Sequence, residues 1–91
     1  MSAYVYIYGL VQQVGFRMFI RKSAERLQVS GWVRNTEEGG VEALFCGLKK
    51  DIDSLISLCK KGPMLAEVKD VKIKWISGIE KDVTSDKFVV L

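Results

Sequence analysis

The hydrophobic and polar positions of the chain change period several times, and each change marks an element. Residues 4–8 (Tyr-Val-Tyr-Ile-Tyr) alternate strictly, which predicts a strand with two distinct faces. Gly9 ends it, and residues 9–15 carry no charge. From Phe16 the spacing turns helical: Phe16, Phe19, Ile20, Ala24 and Leu27 share a face and predict a helix over 16–28. Gly31 introduces a short strand, Trp32-Val33-Arg34-Asn35. Thr36 to Gly40 reads as a turn and Val41 to Cys46 as a third strand, so residues 31–46 form a hairpin. After Gly47 the helical period returns in Leu48, Ile52, Leu55, Ile56 and Cys59. Lys60 and Lys61 suit its last turn, Gly62 its end, and Pro63 blocks continuation. Val71, Ile73 and Trp75 alternate with Lys72 and Lys74 in a fourth strand. Residues 77–86 are polar and predict a mobile loop, and Phe88-Val89-Val90-Leu91 a short closing strand.

The order βαββαβ, plus a final strand, belongs to the α+β class. It predicts a ferredoxin-like sandwich, a mainly antiparallel sheet with two helices on one face, and residues 1–91 as a single domain. Many functions use this fold, so function has to come from a site.

Composition narrows the chemistry. The 91 residues contain no histidine, which removes the commonest general base and the commonest zinc ligand. Cys46 and Cys59 lie in apolar stretches without metal-ligand spacing, as free cysteines do. With no signal-like start and no long apolar run, a cytoplasmic protein without membrane contact is expected, and a monomer. The net charge of +3 is spread along the chain and builds no basic arm of the kind that nucleic-acid binders carry. No metal or other cofactor is expected.

Residues 9–17 depart from local rules. A helix that starts near Phe16 leaves N–H groups without partners, and no Ser, Thr, Asp or Asn stands between 9 and 17 to cap them. Arg17 adds a cation in the first turn, where the helix dipole disfavours one. Such a helix start suits an external anion, with a glycine loop curling its amides around it and the arginine closing the cradle. An ordinary loop with a surface arginine fits the same residues. Asn35, at the end of the second strand, can approach this loop if the first strand neighbours the third. Its amide could then hold a water in one orientation. A plain turn residue is the alternative.

Taken together, Tyr8 to Arg17 (YGLVQQVGFR), Gly31 to Thr36 (GWVRNT), Gly40-Val41-Glu42-Ala43 and Gly62-Pro63 closely resemble the acylphosphatase family. Its signatures are G-x-V-Q-G-V-x-F-R and, further on, G-[WYF]-[AV]-x-N followed by a turn and G-x-V. The likeness spans about the whole chain. It implies an enzyme that hydrolyses acyl phosphates to a carboxylate and inorganic phosphate, with phosphate as product and competitive inhibitor. By resemblance, Val11, Gln12, Gln13, Val14, Gly15, Phe16 and Arg17 form the phosphate cradle. Arg17 is the phosphate-binding catalytic arginine, Asn35 positions the attacking water, Thr36 orients Asn35, and Gly9 supports the loop. Gln13 stands where the family usually has glycine. If that position needs a positive φ, glutamine costs on the order of 1 kcal/mol there.

This chemistry needs no imidazole. The leaving carboxylate has a conjugate acid of pKa near roughly 4 and requires no general acid. The remaining tasks are positioning and charge stabilisation. Two other readings use the same pattern. RNA-recognition modules share the βαββαβ order and stack bases on sheet aromatics, and Tyr4, Tyr6 and Tyr8 share a face; the third strand, however, lacks their basic and aromatic signature. The tyrosines would otherwise cover the helix-free face, or meet another protomer or the C-terminal tail. A non-catalytic phosphate-binding domain would keep the cradle and lose turnover.

Overall fold

Alternation along the first strand places Ala3, Val5 and Ile7 on one face, fully buried, and turns Tyr4, Tyr6 and Tyr8 to the other. The computed structural model describes residues 1–77 and 87–91. There this strand, β1 (Ser2–Leu10), is followed by α1 (Phe16–Leu27), β2 (Ser30–Asn35), β3 (Val41–Cys46), α2 (Lys49–Lys61), β4 (Glu67–Ile76) and β5 (Phe88–Val90). The sheet order is β4-β1-β3-β2-β5. β1 is antiparallel to β3 and to β4, β2 is antiparallel to β3, and β5 runs parallel to β2. This is the expected ferredoxin-like arrangement. From residue 78 on, the mobile loop predicted over 77–86 lies outside the described residues.

One core lies between the helices and the inner sheet face. Phe16, Ile20 and Ala24 of α1 and Ile52, Leu55, Ile56 and Cys59 of α2 join Val5, Ile7, Val33, Ala43 and Phe45. Each large apolar side chain so buried contributes about 1.5–3 kcal/mol. That exceeds the ~1 kcal/mol of an N-terminal side-chain cap. Hence α1 stands without a cap: its N-cap is Gly15, with no side-chain cap hydrogen bond and no acidic residue in the first turn.

Three strands are longer than their side-chain pattern predicts, β2 by Ser30 and Gly31, and β1 and β4 by more. β1 has partners on both sides, so the backbone ladder runs past the alternating residues 4–8. β4 is an edge strand and begins at Glu67, in a stretch too polar to read as a strand. The β1–β4 register shifts between Tyr8 and Gly9. At this bulge Gly9 has φ +128°, and a Cβ there would stand 2.1 Å from the Glu67 carbonyl oxygen. Only glycine allows that approach. The bulge lies where the chain leaves the sheet for the loop before α1.

The helix-free face is occupied by its own side chains. The Tyr4 hydroxyl lies 2.8 and 2.7 Å from the two carboxylate oxygens of Glu42, and Arg34 Nη2 donates to Glu42 Oε2 at 3.0 Å. Burial pushes the Glu42 carboxyl up, but the Tyr4 and Arg34 hydrogen bonds outweigh it and hold the group below its ordinary value. Arg34 covers Trp32, with 5.3 Å to the ring centroid, and Lys72 covers Tyr8 at 5.9 Å. The tyrosines thus line the helix-free face, where Trp32 and Tyr8 each have one of the chain's own cations over the ring.

Both cysteines are free. Cys59 is in the core, where burial pushes its thiol up to about 12, so it is inert at neutral pH. Lys49, exposed at the start of α2, pairs with Asp53 (3.0 Å) and lies over Trp75 (4.9 Å). Among the described residues no helix is long and apolar enough to cross a membrane.

Candidate active site

The loop between β1 and α1 is pinned at both ends by apolar burial. Val11 and Phe16 are each 1% exposed. Between them Gln13 and Gly15 are exposed and left-handed, with φ of 62° and 79°. Left-handed residues reverse the local curl of the chain, the device by which consecutive N–H groups converge on an anion. Among the described residues, no backbone N–H from Gln13 to Met18 has a hydrogen-bond partner. The helix makes its first donation from Phe19 N to the Gly15 carbonyl oxygen, at 3.0 Å. A run of unused donors thus meets the positive end of the α1 dipole.

Two further groups close on this loop. Arg17, in the first turn of α1, donates from Nη1 to the Leu91 carbonyl oxygen at 2.7 Å. That bond holds the guanidinium at the mouth of the loop and leaves its other N–H groups available. Asn35 comes from the end of β2, opposite Val41 of β3. Its side chain has no hydrogen-bond partner among the described residues. Both side chains line a pocket of about 180 Å³ together with Val11, Gln13, Gly15, Phe16, Met18 and Val90. The β1–β3–β2 order is what brings the end of β2 beside the loop leaving β1.

Of the residues singled out from the sequence, the fold brings Val11, Gln13, Gly15, Phe16, Arg17 and Asn35 to this one pocket. The others lie around it. Val14 packs partly against the core. The side-chain nitrogen of Gln12 donates to the carbonyl oxygens of Thr36 (2.7 Å) and Gly40 (2.9 Å). Gly9 sits in the β1 bulge. Thr36, expected to orient Asn35, bonds elsewhere: its hydroxyl lies 2.8 Å from the Tyr6 hydroxyl and accepts from Gly40 N at 3.0 Å. Thr36 therefore closes the β2–β3 turn rather than touching the Asn35 amide. Met18, Val90 and Leu91 were not singled out. Met18 follows Arg17 in the first helical turn and was open to such a reading. Val90 and Leu91 reach the site only through the parallel pairing of β5 with β2, which no local pattern announces.

On its other side Asn35 borders a second pocket, of about 370 Å³, lined by Tyr6, Arg34, Thr36, Glu37, Glu38 and Glu42. Three carboxylates there oppose a single arginine, which favours an anion on the Arg17 side instead. No three His, Cys, Asp or Glu side chains come together as a metal-ligand set among the described residues.

Fold and site together define a small ferredoxin-like α+β protein with a loop of unpaired amides at the start of its first helix. The acylphosphatase family model matches residues 3–90, and the chain belongs to the acylphosphatase family. An acylphosphatase of Chloroflexus aurantiacus is 47% identical over 73 residues, 80% of this chain and 79% of that relative. The crystal structure of an acylphosphatase from Bacillus subtilis superposes with a TM-score of 0.91 at 29% identity, covering 100% of this chain and 99% of the other. An acylphosphatase from Coxiella burnetii gives a TM-score of 0.87 at 36% identity, over 99% and 90% of the two chains.

Proposed function

We propose that this chain hydrolyses acyl phosphates with a backbone cradle, one arginine and one asparagine. Membership of the acylphosphatase family supports the reaction. The observation that carries the assignment of residues is the single pocket in which the unused amides of Gln13 to Met18, Arg17 and the free amide of Asn35 meet. The phosphoryl group sits in the loop, its oxygens on the N–H groups and on Arg17. A loose transition state spreads charge over the equatorial oxygens, which these donors then stabilise. Asn35 holds the attacking water in line with the breaking P–O bond. An asparagine cannot take the proton, so a phosphoryl oxygen of the substrate accepts it. The carboxylate leaves unprotonated, and the cradle releases inorganic phosphate, which competes with substrate.

Residues 1–91 act as one catalytic unit, a monomer with no metal or other cofactor and no nucleic-acid or membrane partner. A cytoplasmic location accords with the two free cysteines.

The test is steady-state hydrolysis of benzoyl phosphate, with and without EDTA and added phosphate. Wild type is expected to turn over in EDTA and to be inhibited competitively by phosphate. Arg17→Ala is expected to lose phosphate inhibition and most of the rate. Asn35→Ala should keep phosphate inhibition while kcat falls about a hundredfold. Wild-type rates in both variants would remove these residues from the site. Phosphate binding by the wild type without any turnover would make the domain a phosphate sensor.

A further inference from the structure

Gln12 lies within the cradle loop, yet its side chain points to a neighbouring turn. The side-chain nitrogen donates to the Thr36 carbonyl oxygen at 2.7 Å and to the Gly40 carbonyl oxygen at 2.9 Å. A primary amide has two N–H bonds, so this pair uses both. The acceptors stand at the two ends of the β2–β3 turn, and Thr36 directly follows Asn35. The turn is itself closed by Thr36 N to the Gly40 carbonyl oxygen (2.9 Å) and by Gly40 N to Thr36 Oγ1 (3.0 Å). It lies tight against β1: a Cβ on Gly40 would come within 2.8 Å of both the Ile7 carbonyl oxygen and the Tyr6 ring. Among the described residues, the two Gln12 bonds are the hydrogen bonds that join the cradle loop to this turn. Arg17 is tied to Leu91 instead.

From this arrangement we infer that Gln12 is a positioning residue: its side chain sets the separation between the phosphate cradle and the Asn35 amide, and so the line of the attacking water. The inference rests on the roles proposed for Arg17 and Asn35. The cradle belongs to the β1–α1 connection and Asn35 to the end of β2, two segments that β3 separates in the sheet. Shared core packing places them only approximately. A misplacement of about 1 Å is enough to cost roughly a hundredfold in rate. Two short hydrogen bonds between the segments remove that freedom. Phosphate affinity depends on the amides and Arg17, which Gln12 does not bond, so it should be nearly indifferent to the side chain at 12.

The test uses Gln12→Met, close to isosteric but without donors, and Gln12→Asn, which keeps the amide on a stem one methylene shorter. Each is made alone and together with Asn35→Ala. The readouts are kcat and KM for benzoyl phosphate, Ki for inorganic phosphate and the thermal midpoint. Gln12→Met is expected to lower kcat about 10- to 100-fold while Ki for phosphate stays within about threefold. In the Asn35→Ala background the same change should lower kcat by less than about twofold, because Gln12 acts through Asn35. Should Gln12→Met fail to fold, Gln12→Asn supplies the same comparison. A wild-type kcat in a folded Gln12 variant overturns the inference. So does an equal loss of kcat and phosphate binding, or a full extra loss on top of Asn35→Ala. If Asn35→Ala itself runs at the wild-type rate, the water-positioning role fails and the inference with it. A slow Asn35→Ala beside a fast Gln12→Met overturns the Gln12 role alone.

Discussion

At Gln13 the chain accepts local strain to keep the shape of the loop. The left-handed backbone there (φ 62°) is a conformation that glycine adopts without cost, and a side chain with a Cβ resists it by roughly 1 kcal/mol. Two residues on, Gly15 adopts the same region freely, with open space around its missing Cβ. Gln13→Gly is therefore expected to stabilise the protein by up to about 1 kcal/mol, read as a rise of the thermal midpoint of up to about 8 °C. An unchanged or lower midpoint would mean that the Gln13 side chain makes contacts that offset the strain. The same variant keeps every cradle amide, so phosphate inhibition should persist in it.

The elements carry constraints that no single site residue reveals. Where β1 leaves the sheet, Gly9 lies against the backbone of β4, so close that an added Cβ would stand 2.1 Å from the Glu67 carbonyl oxygen. Gly9→Ala has to move one strand or the other, and a loss of about 2 kcal/mol or more is expected in urea unfolding, together with weaker phosphate inhibition. On β3, the Glu42 carboxylate is held below its ordinary value although burial opposes this, because Tyr4 and Arg34 bond the charged form. An acid whose pKa is depressed by folding adds stability above its unfolded pKa, roughly 4.3 for glutamate, and loses it as pH falls through the folded value. The thermal midpoint of the wild type should therefore fall as pH drops below about 4, and Glu42→Gln should flatten that fall. Equal acid sensitivity in both proteins would assign the effect to other carboxylates.

Over the whole molecule, the last strand completes the site from a distant part of the chain. Leu91 N donates to the Val33 carbonyl oxygen at 2.8 Å, and the Leu91 carbonyl oxygen accepts from Arg17 at 2.7 Å. Phe88 anchors this strand next to Phe45, with ring centroids 6.0 Å apart. Removal of Leu91 alone is expected to raise Ki for phosphate several-fold with little change in thermal midpoint, since the core anchor stays; an unchanged Ki would show that Arg17 needs no such tether. Element order, two-faced strands and the uncapped helix start were all legible in the sequence, and its motifs marked Arg17 and Asn35 as candidates. These follow from short-range periodicity, from missing capping residues and from motifs read within a few positions. Tertiary structure decided what depends on distant backbones coming together. The parallel pairing of β5 brought Val90 and Leu91 to the site, the bulge at Gly9 lies where the chain leaves the sheet, and the turn carbonyls of Thr36 and Gly40 gave Gln12 its partners. Side-chain pattern records which face a residue buries, whereas hydrogen bonds to carbonyl groups from remote parts of the chain leave no trace in it.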